Sequence, residues 1–236
     1  MIKNLLQNYI KDYKITLTEN QYEQFQKYFE LLAEWNEKMN LTAITDESGV
    51  ALKHFADSLS LLNFVDIPQN SSLADVGTGA GFPGVVLKIA RPDIKLTLID
   101  SLNKRLVFLG EVCAQLGIEA ELIHSKAENG ARDEKLRESF DFAVSRAVAR
   151  MNVLSEYCLP YVKVGGAFCA MKGAQANEEF KESLNAINTL GGKLENKYFF
   201  ELPENGGERA IAVVRKVKNT PQKYPRQSGK IKAKAL

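Results

Sequence analysis

Asp75-Val76-Gly77-Thr78-Gly79-Ala80-Gly81-Phe82-Pro83-Gly84 is the stretch whose residue types and spacing point most directly to chemistry. Leu73 to Val76 reads as a buried strand and the glycines as a tight turn, bare of side chains so that a ligand can approach backbone. Pro83 reads as the first residue of a helix. Such a turn holds a nucleotide-like ligand. Gly79 to Gly84 satisfies G-x-G-x-x-G, and Asp100 follows at the end of the next strand, about twenty residues on. The pattern fits a nicotinamide or flavin dinucleotide and equally S-adenosylmethionine, because each carries an adenosine whose ribose hydroxyls need a carboxylate acceptor. Three features favour S-adenosylmethionine. Asp75 precedes the turn, and an acid suits a cationic methionine end better than a pyrophosphate. A hairpin closes the sheet, and nothing after the fourth strand offers a His or Tyr poised for hydride transfer.

In an open α/β sheet, ligand and chemistry gather at the carboxyl ends of the strands. That rule brings Asp100-Ser101, Ser125-Lys126-Ala127-Glu128, Ser145-Arg146-Ala147 and Lys172-Gly173 to one crevice with the glycine turn. Ala127 and Glu128 are candidate neighbours of the adenine. Val144 to Val148 supplies neither the Asn/Asp-Pro-Pro that grips an exocyclic amine nor a Cys nucleophile for a pyrimidine carbon. Guanine N7 needs neither, since its in-plane lone pair carries no proton and can attack a sulfonium methyl once the two are held in line. Arg146 can fork onto guanine O6 or a phosphate, contact the cofactor, or form a structural salt bridge. His54, Asp57 and Ser58 cluster on an otherwise apolar helical run and read either as a satisfied turn in the core or as a polar pocket.

The elements that must position these residues follow from periodicity. Leu5, Leu6, Tyr9, Ile10 and Tyr13 recur at helical spacing; Thr18 and Gln21 make a capping box before the stripe Tyr22, Phe25, Phe29, Leu32 and Met39, with Trp35 beside it. A third helical run spans 46–64, with Val50, Leu52, Phe55, Leu59 and Leu62 inward. From residue 72 strands alternate with helices: strands at 72–76, 95–100, 119–124, 140–145 and 166–172, helices at 83–91, 102–116, 129–136, 149–159 and 175–189. Alternation implies a parallel sheet covered on both faces. Residues 192–202 and 208–217 form a hairpin around Asn205-Gly206, placing an antiparallel strand at one edge. The expected division is a helical region over 1–70, an α/β domain over 71–217 and a basic tail over 218–236, the part from Asn219 being low in apolar content and mobile.

Composition sets the bounds. With 236 residues and 45% hydrophobic content the chain can bury a full core. Lys and Arg total 31 against 29 for Asp and Glu, so net charge does not mark a nucleic-acid binder, but from Arg215 onward there are eight cations and no acid. Lys216 to Lys234, with Tyr224 among them, could track phosphates and stack a base. No signal peptide or membrane span is visible, three scattered cysteines suit a reducing cytoplasm, and with two histidines no metal site is expected.

Six segments resemble the glucose-inhibited division protein B family, bacterial enzymes that methylate a guanine of small-subunit (16S) ribosomal RNA at N7. They are Asn40-Leu41-Thr42-Ala43-Ile44, His54 to Leu59, Asp75 to Gly84, Asp100 to Arg105, Ser145-Arg146-Ala147 and Pro221 to Gly229. The resemblance covers nearly the whole chain. It implies a class I S-adenosylmethionine-dependent methyltransferase: an α/β, Rossmann-like, mostly parallel seven-stranded sheet with a C-terminal antiparallel hairpin and an N-terminal helical extension. It implies cofactor contacts at Gly77, Phe82, Ala127, Glu128 and Arg146, with Asp100 on the ribose; the glycine turn and the strand end beside it add Asp75, Gly79, Gly81 and Ser101 to the expected cofactor site. It also draws His54, Asp57 and Ser58, with Arg146, to the target base. The implied partner is 16S ribosomal RNA or the small subunit, met in the cytoplasm by a monomer. Lys126 and Ala210 depart from the family pattern, which often has Arg or Gly, and His, at those positions. An NAD-dependent oxidoreductase and a non-catalytic, cofactor-gated RNA-binding module are the alternative readings.

Overall fold

The computed structural model describes the backbone of residues 1–236 and every side chain except that of Lys232. Helices α1 (Ile2–Tyr9) and α2 (Glu19–Met39) open the chain, and the Thr18–Gln21 capping box forms as the sequence predicts. Asp46 caps α3 (Glu47–Val50), which continues through a π-helical turn (Ala51–Ala56) into α4 (Asp57–Phe64). The α/β part then runs β1 (Ser72–Val76), α5 (Gly84–Ala90), β2 (Lys95–Asp100), α6 (Asn103–Leu116), β3 (Ala120–His124), α7 (Ala127–Gly130) and β4 (Phe140–Arg146). After it come α8 (Met151–Cys158), β5 (Val162–Lys172), α9 (Ala176–Glu182), α10 (Leu184–Thr189), β6 (Gly192–Glu201), β7 (Glu208–Lys216) and α11 (Ser228–Ala233).

The strands form one seven-stranded sheet in the order β3-β2-β1-β4-β5-β7-β6. All pairings from β3 through β5 are parallel, and β7 is antiparallel to both β5 and β6. The antiparallel strand is therefore not at the edge, as the hairpin alone suggested. It is inserted between β5 and β6, because β7 rather than β6 carries the continuous buried run Ala210 to Val214 that a two-sided position demands. The helix expected over 129–136 is a single turn at Ala127–Gly130, and the one expected over 175–189 breaks into α9 and α10 at Ser183.

Period-two alternation divides the core between the two sheet faces. Leu73, Leu98, Phe142, Val144, Cys169, Met171 and Val213 face the N-terminal helices, α5 and α6; Ala74, Ile99, Ala143, Phe168, Ala170 and Val214 face α8 and the C-terminal segment. The N-terminal helices are thus one wall of the same core, and this is what lets them reach the glycine turn. In the stripe on α2, Phe29 and Met39 are only half-buried, while Tyr28, outside the expected set, is fully buried.

The C-terminal segment is not the loose arm its composition suggests. Tyr224 and Ile231 enter the core, Lys216 is buried against Leu159 O and Thr220 Oγ1, and Arg226 pairs with the buried Glu156. Low apolar content misled because the anchors are ion pairs and carbonyl-bound arginines. Tyr224, buried, is closed to base stacking, and the Lys232 side chain lies outside the described residues.

Candidate functional site

The glycine turn is fixed from beneath. Gly77 and Thr78 amides donate to Ile99 O, and Gly79 N donates to Asp100 Oδ2 at 2.9 Å. Asp75 Oδ2 accepts from Thr78 Oγ1 at 2.7 Å and Gly84 N at 2.8 Å, pinning the strand end to the start of α5. Burial pushes the Asp75 carboxyl up to about 6, and its Oδ1 has no partner among the described residues. Gly77, Gly79 and Gly81 all have positive φ, where a Cβ is strained. At Gly81 a Cβ would lie 2.4 Å from Tyr28 Oη, which donates to Ala80 O at 2.5 Å. Tyr28 thus buttresses the turn from α2; in sequence it sits one position off the stripe that periodicity selects.

Over the turn lies a cavity of about 560 Å³. Gly77, Gly79, Phe82, Asp100, Ser101, Ala127, Glu128 and Arg146, expected at the cofactor, line it together with His54, expected at the target base. Asp75 and Gly81 do not. The acid is fully buried under the turn and acts by holding it, while Gly81 makes room for Tyr28 and Val85. Asp100 accepts from Gly79 N, Leu102 N (2.9 Å, on Oδ1) and Arg105 Nη1 (3.3 Å), so its carboxylate is oriented by the turn. Glu128 is buried at the wall, and no protein donor reaches its carboxylate among the described residues.

Arg146, at the end of β4, is the hub on the other side. Its Nη1 donates to Asp57 Oδ2 (2.7 Å) and to Lys53 O (2.8 Å), and its Nη2 faces His54 Nδ1 at 3.2 Å. Arg146 Nη2 can only donate toward Nδ1, while Lys53 O, 3.1 Å from the same nitrogen, can only accept, and Nε2 lies 2.8 Å from Thr42 Oγ1, so both ring nitrogens are engaged. Phe82 stacks on the imidazole (centroids 4.5 Å apart) and lies 5.2 Å below the guanidinium. The second Asp57 oxygen accepts Arg209 Nε at 3.1 Å. The π turn brings Lys53, His54 and Asp57 onto one side of the helix toward β4, a common use of such turns. Ser58 does not join them: it is fully buried, and its hydroxyl donates to His54 O within the helix. Thr42, Lys53 and Arg209 were not singled out by sequence reasoning; Thr42 stands in one of the six family-like segments, but nothing local marks Arg209.

Burial, then the Arg146 charge, lowers the His54 pKa to about 3, so this histidine is neutral at pH 7. The folded value lies below the unfolded one near 6.5. Its stabilising contribution is therefore complete above pH 6.5 and is lost as pH falls from there toward 3. Urea unfolding at pH 7.5 and 5.0 should show a smaller loss of stability for His54→Gln than for the parent chain; an identical loss would place the acid-sensitive group elsewhere.

A second cavity of about 540 Å³ abuts the first and shares His54, Arg146, Ala147 and Val148 with it. Its other walls include Lys53, Asp57, Arg150, Lys172, Glu179 and Arg209 around apolar Ile44, Met171, Phe200 and Ile211. Ala147, at the junction, holds φ +57°, the kind of strained backbone that concentrates at working sites. Lys172 bonds Ala149 O and pairs with Glu179 at 2.8 Å, and Glu179 also accepts Met151 N, which steadies the loop after β4. Cys113, Cys158 and Cys169 are free and buried, none lines either cavity, and burial raises all three thiols.

The first cavity fits S-adenosylmethionine. Gly79 opens onto space, with nothing among the described residues within 4 Å of a built Cβ, and Asp100 and Glu128 offer the cavity two buried carboxylate acceptors, the chemistry that adenosine hydroxyls and amine require. Seven strands in this order with the antiparallel β7, and a glycine turn ending β1, define a class I S-adenosylmethionine-dependent methyltransferase. Solved structures share the fold at low identity. The fibrillarin pre-rRNA processing protein of Methanococcus jannaschii superposes with a TM-score of 0.53 at 15% identity, covering 69% of this chain and 74% of its own. An S-adenosylmethionine-dependent methyltransferase of Aquifex aeolicus gives 0.51 at 17% identity, covering 67% and 89%. The chain belongs to the GidB family, described as rRNA small subunit methyltransferase G, whose model matches residues 21–205. Relatives named ribosomal RNA small subunit methyltransferase G are 52% identical in Geobacillus sp. (strain WCH70), over 91% of both chains, and 53% identical in Leuconostoc citreum (strain KM20), over 93% of both. Membership removes the hydride-transfer reading of the glycine turn.

Proposed function

We propose that this protein transfers a methyl group from S-adenosylmethionine to N7 of a guanine in 16S (small-subunit) ribosomal RNA. The observation that carries the reading is the wall common to the two cavities. When bound, the cofactor supplies an electrophilic methyl on sulfur. Facing it, the wall offers donors and no free base. Arg146 can only donate, both His54 ring nitrogens already have partners, and both Asp57 oxygens are held by arginines. A target atom that had to lose a proton would find no acceptor there; N7 arrives with its lone pair in the ring plane and needs only alignment and exclusion of water. The buried cysteines cannot serve the covalent route to a pyrimidine carbon. In the second cavity, Ile44 and Phe200 supply apolar surface for a base, while Lys53, Arg150 and Arg209 suit O6 and the flanking phosphates. The name that the relatives share, ribosomal RNA small subunit methyltransferase G, supports ribosomal RNA as the substrate.

The acceptor is the RNA or the assembling small subunit, and the protein acts as a cytoplasmic monomer. No helix among the described residues is long and apolar enough to cross a membrane. In this reading residues 1–70 contribute to base binding, 71–217 hold the cofactor and complete the base site, and 218–236 form the C-terminal segment packed against them. Mapping of small-subunit RNA from cells lacking the gene should show one N7-methylguanine missing, restored by purified protein and labelled S-adenosylmethionine. An unchanged modification map would defeat the assignment.

A further inference from the structure

Residues 219–236 carry five of the cations that composition offers for RNA, yet the structure spends Arg226 internally and ties the segment's backbone to cations of the rest of the chain. Lys216, which introduces the segment, has no exposed side chain and donates to Leu159 O (2.7 Å) and Thr220 Oγ1 (2.8 Å), with Glu138 at 2.9 Å. Arg137 binds Thr220 O (2.8 Å) and Tyr224 O (2.9 Å), and Arg132 binds Pro225 O (2.6 Å) and Lys223 O (3.2 Å). Wholly buried Glu156 on α8 accepts Arg226 N at 2.7 Å and Arg226 Nη2 at 2.6 Å. A buried carboxylate left without its partner is costly, so α8 and this segment hold together strongly. Tyr157, the next residue on α8, lines the cofactor cavity, and so does Ser228 at the start of α11. Glu128, the carboxylate without a protein donor, stands on α7, which packs against α8.

We propose that residues 219–236 are a strap that completes the cofactor cavity on its Glu128 side, with the Ser228 side chain in contact with bound S-adenosylmethionine. The segment then serves cofactor retention, and the exposed Lys218, Lys223, Lys230 and Lys234 are incidental to that role. The inference rests on the first cavity as the S-adenosylmethionine site and is independent of which nucleotide is methylated.

Calorimetry on the full chain tests it without RNA. Ser228→Phe, at a half-buried position, should weaken S-adenosylmethionine about tenfold with an unchanged melting temperature, whereas replacing Lys218, Lys223, Lys230 and Lys234 together by Gln should leave that affinity within twofold. An unchanged affinity for Ser228→Phe beside a parent chain that binds would overturn the strap alone; a parent chain that does not bind would overturn the cofactor site as well. Should Ser228→Phe misfold, hydrogen exchange on the unaltered chain decides: the cofactor should protect amides over 221–231, and equal exchange with and without it would end the proposal.

Discussion

Gly77→Val should raise the dissociation constant for S-adenosylmethionine by at least about 100-fold, equivalent to about 2.7 kcal/mol. Two costs combine. Gly77 holds φ +73°, a region that β-branched residues avoid, at a cost of about 1–3 kcal/mol. A Cβ there would also stand 2.7 Å from Val148 Cγ2, and the added methyls would project where the cofactor cavity meets the loop after β4. The backbone cost is separable from the site. Gly117, at the end of α6, has φ +63° with nothing within 4 Å of a built Cβ, and it lines neither cavity. Gly117→Val should lower the melting temperature comparably while leaving cofactor affinity intact. Equal affinities for the parent chain and Gly77→Val would show that the turn does not carry the ligand.

Arg146→Ala should lower kcat by about 100-fold or more, the scale of losing a preorganised donor at a reacting centre. The rate should fall further than the folded population does. Arg146 has 13% side-chain exposure and Asp57 6%, so the pair sits in partly desolvated surroundings, and breaking such a pair leaves an acid seeking a partner. Here Arg209 remains on the other Asp57 oxygen, which limits the loss of stability to about 1–3 kcal/mol. A double-mutant cycle with Asp57→Ala separates the roles: the two changes should be strongly coupled in melting temperature, with Arg146→Ala still slower than Asp57→Ala per folded molecule. If rate per folded molecule were unchanged by Arg146→Ala, the arginine would be a structural tie.

The turn was legible because each of its constraints is local. Positive φ at Gly77, Gly79 and Gly81 is what glycine spacing announces, and Asp100 at the next strand end follows from the length of one β-α-β unit. Asp75 was placed correctly along the chain but given the wrong neighbour, since spacing could not tell an acid facing the ligand from one bonded under the turn to Thr78 and Gly84. Ser58 failed for a similar reason. Its proximity to His54 is helical, and the hydroxyl spends itself on the His54 carbonyl.

By itself, then, the sequence determined the alternation of strands and helices, the two-faced sheet, the glycine turn and an adenosine-bearing ligand for it, all properties of residues within one or two elements of each other. Tertiary structure alone decided the rest. It joined Asp57 to Arg146 across 89 residues and to Arg209 across 152, kept His54 neutral beside that pair, placed β7 inside the sheet and bound the cationic C-terminus down. Charge partners and protonation states depend on which surfaces packing brings within hydrogen-bond reach and how much water it removes, and no local period encodes either.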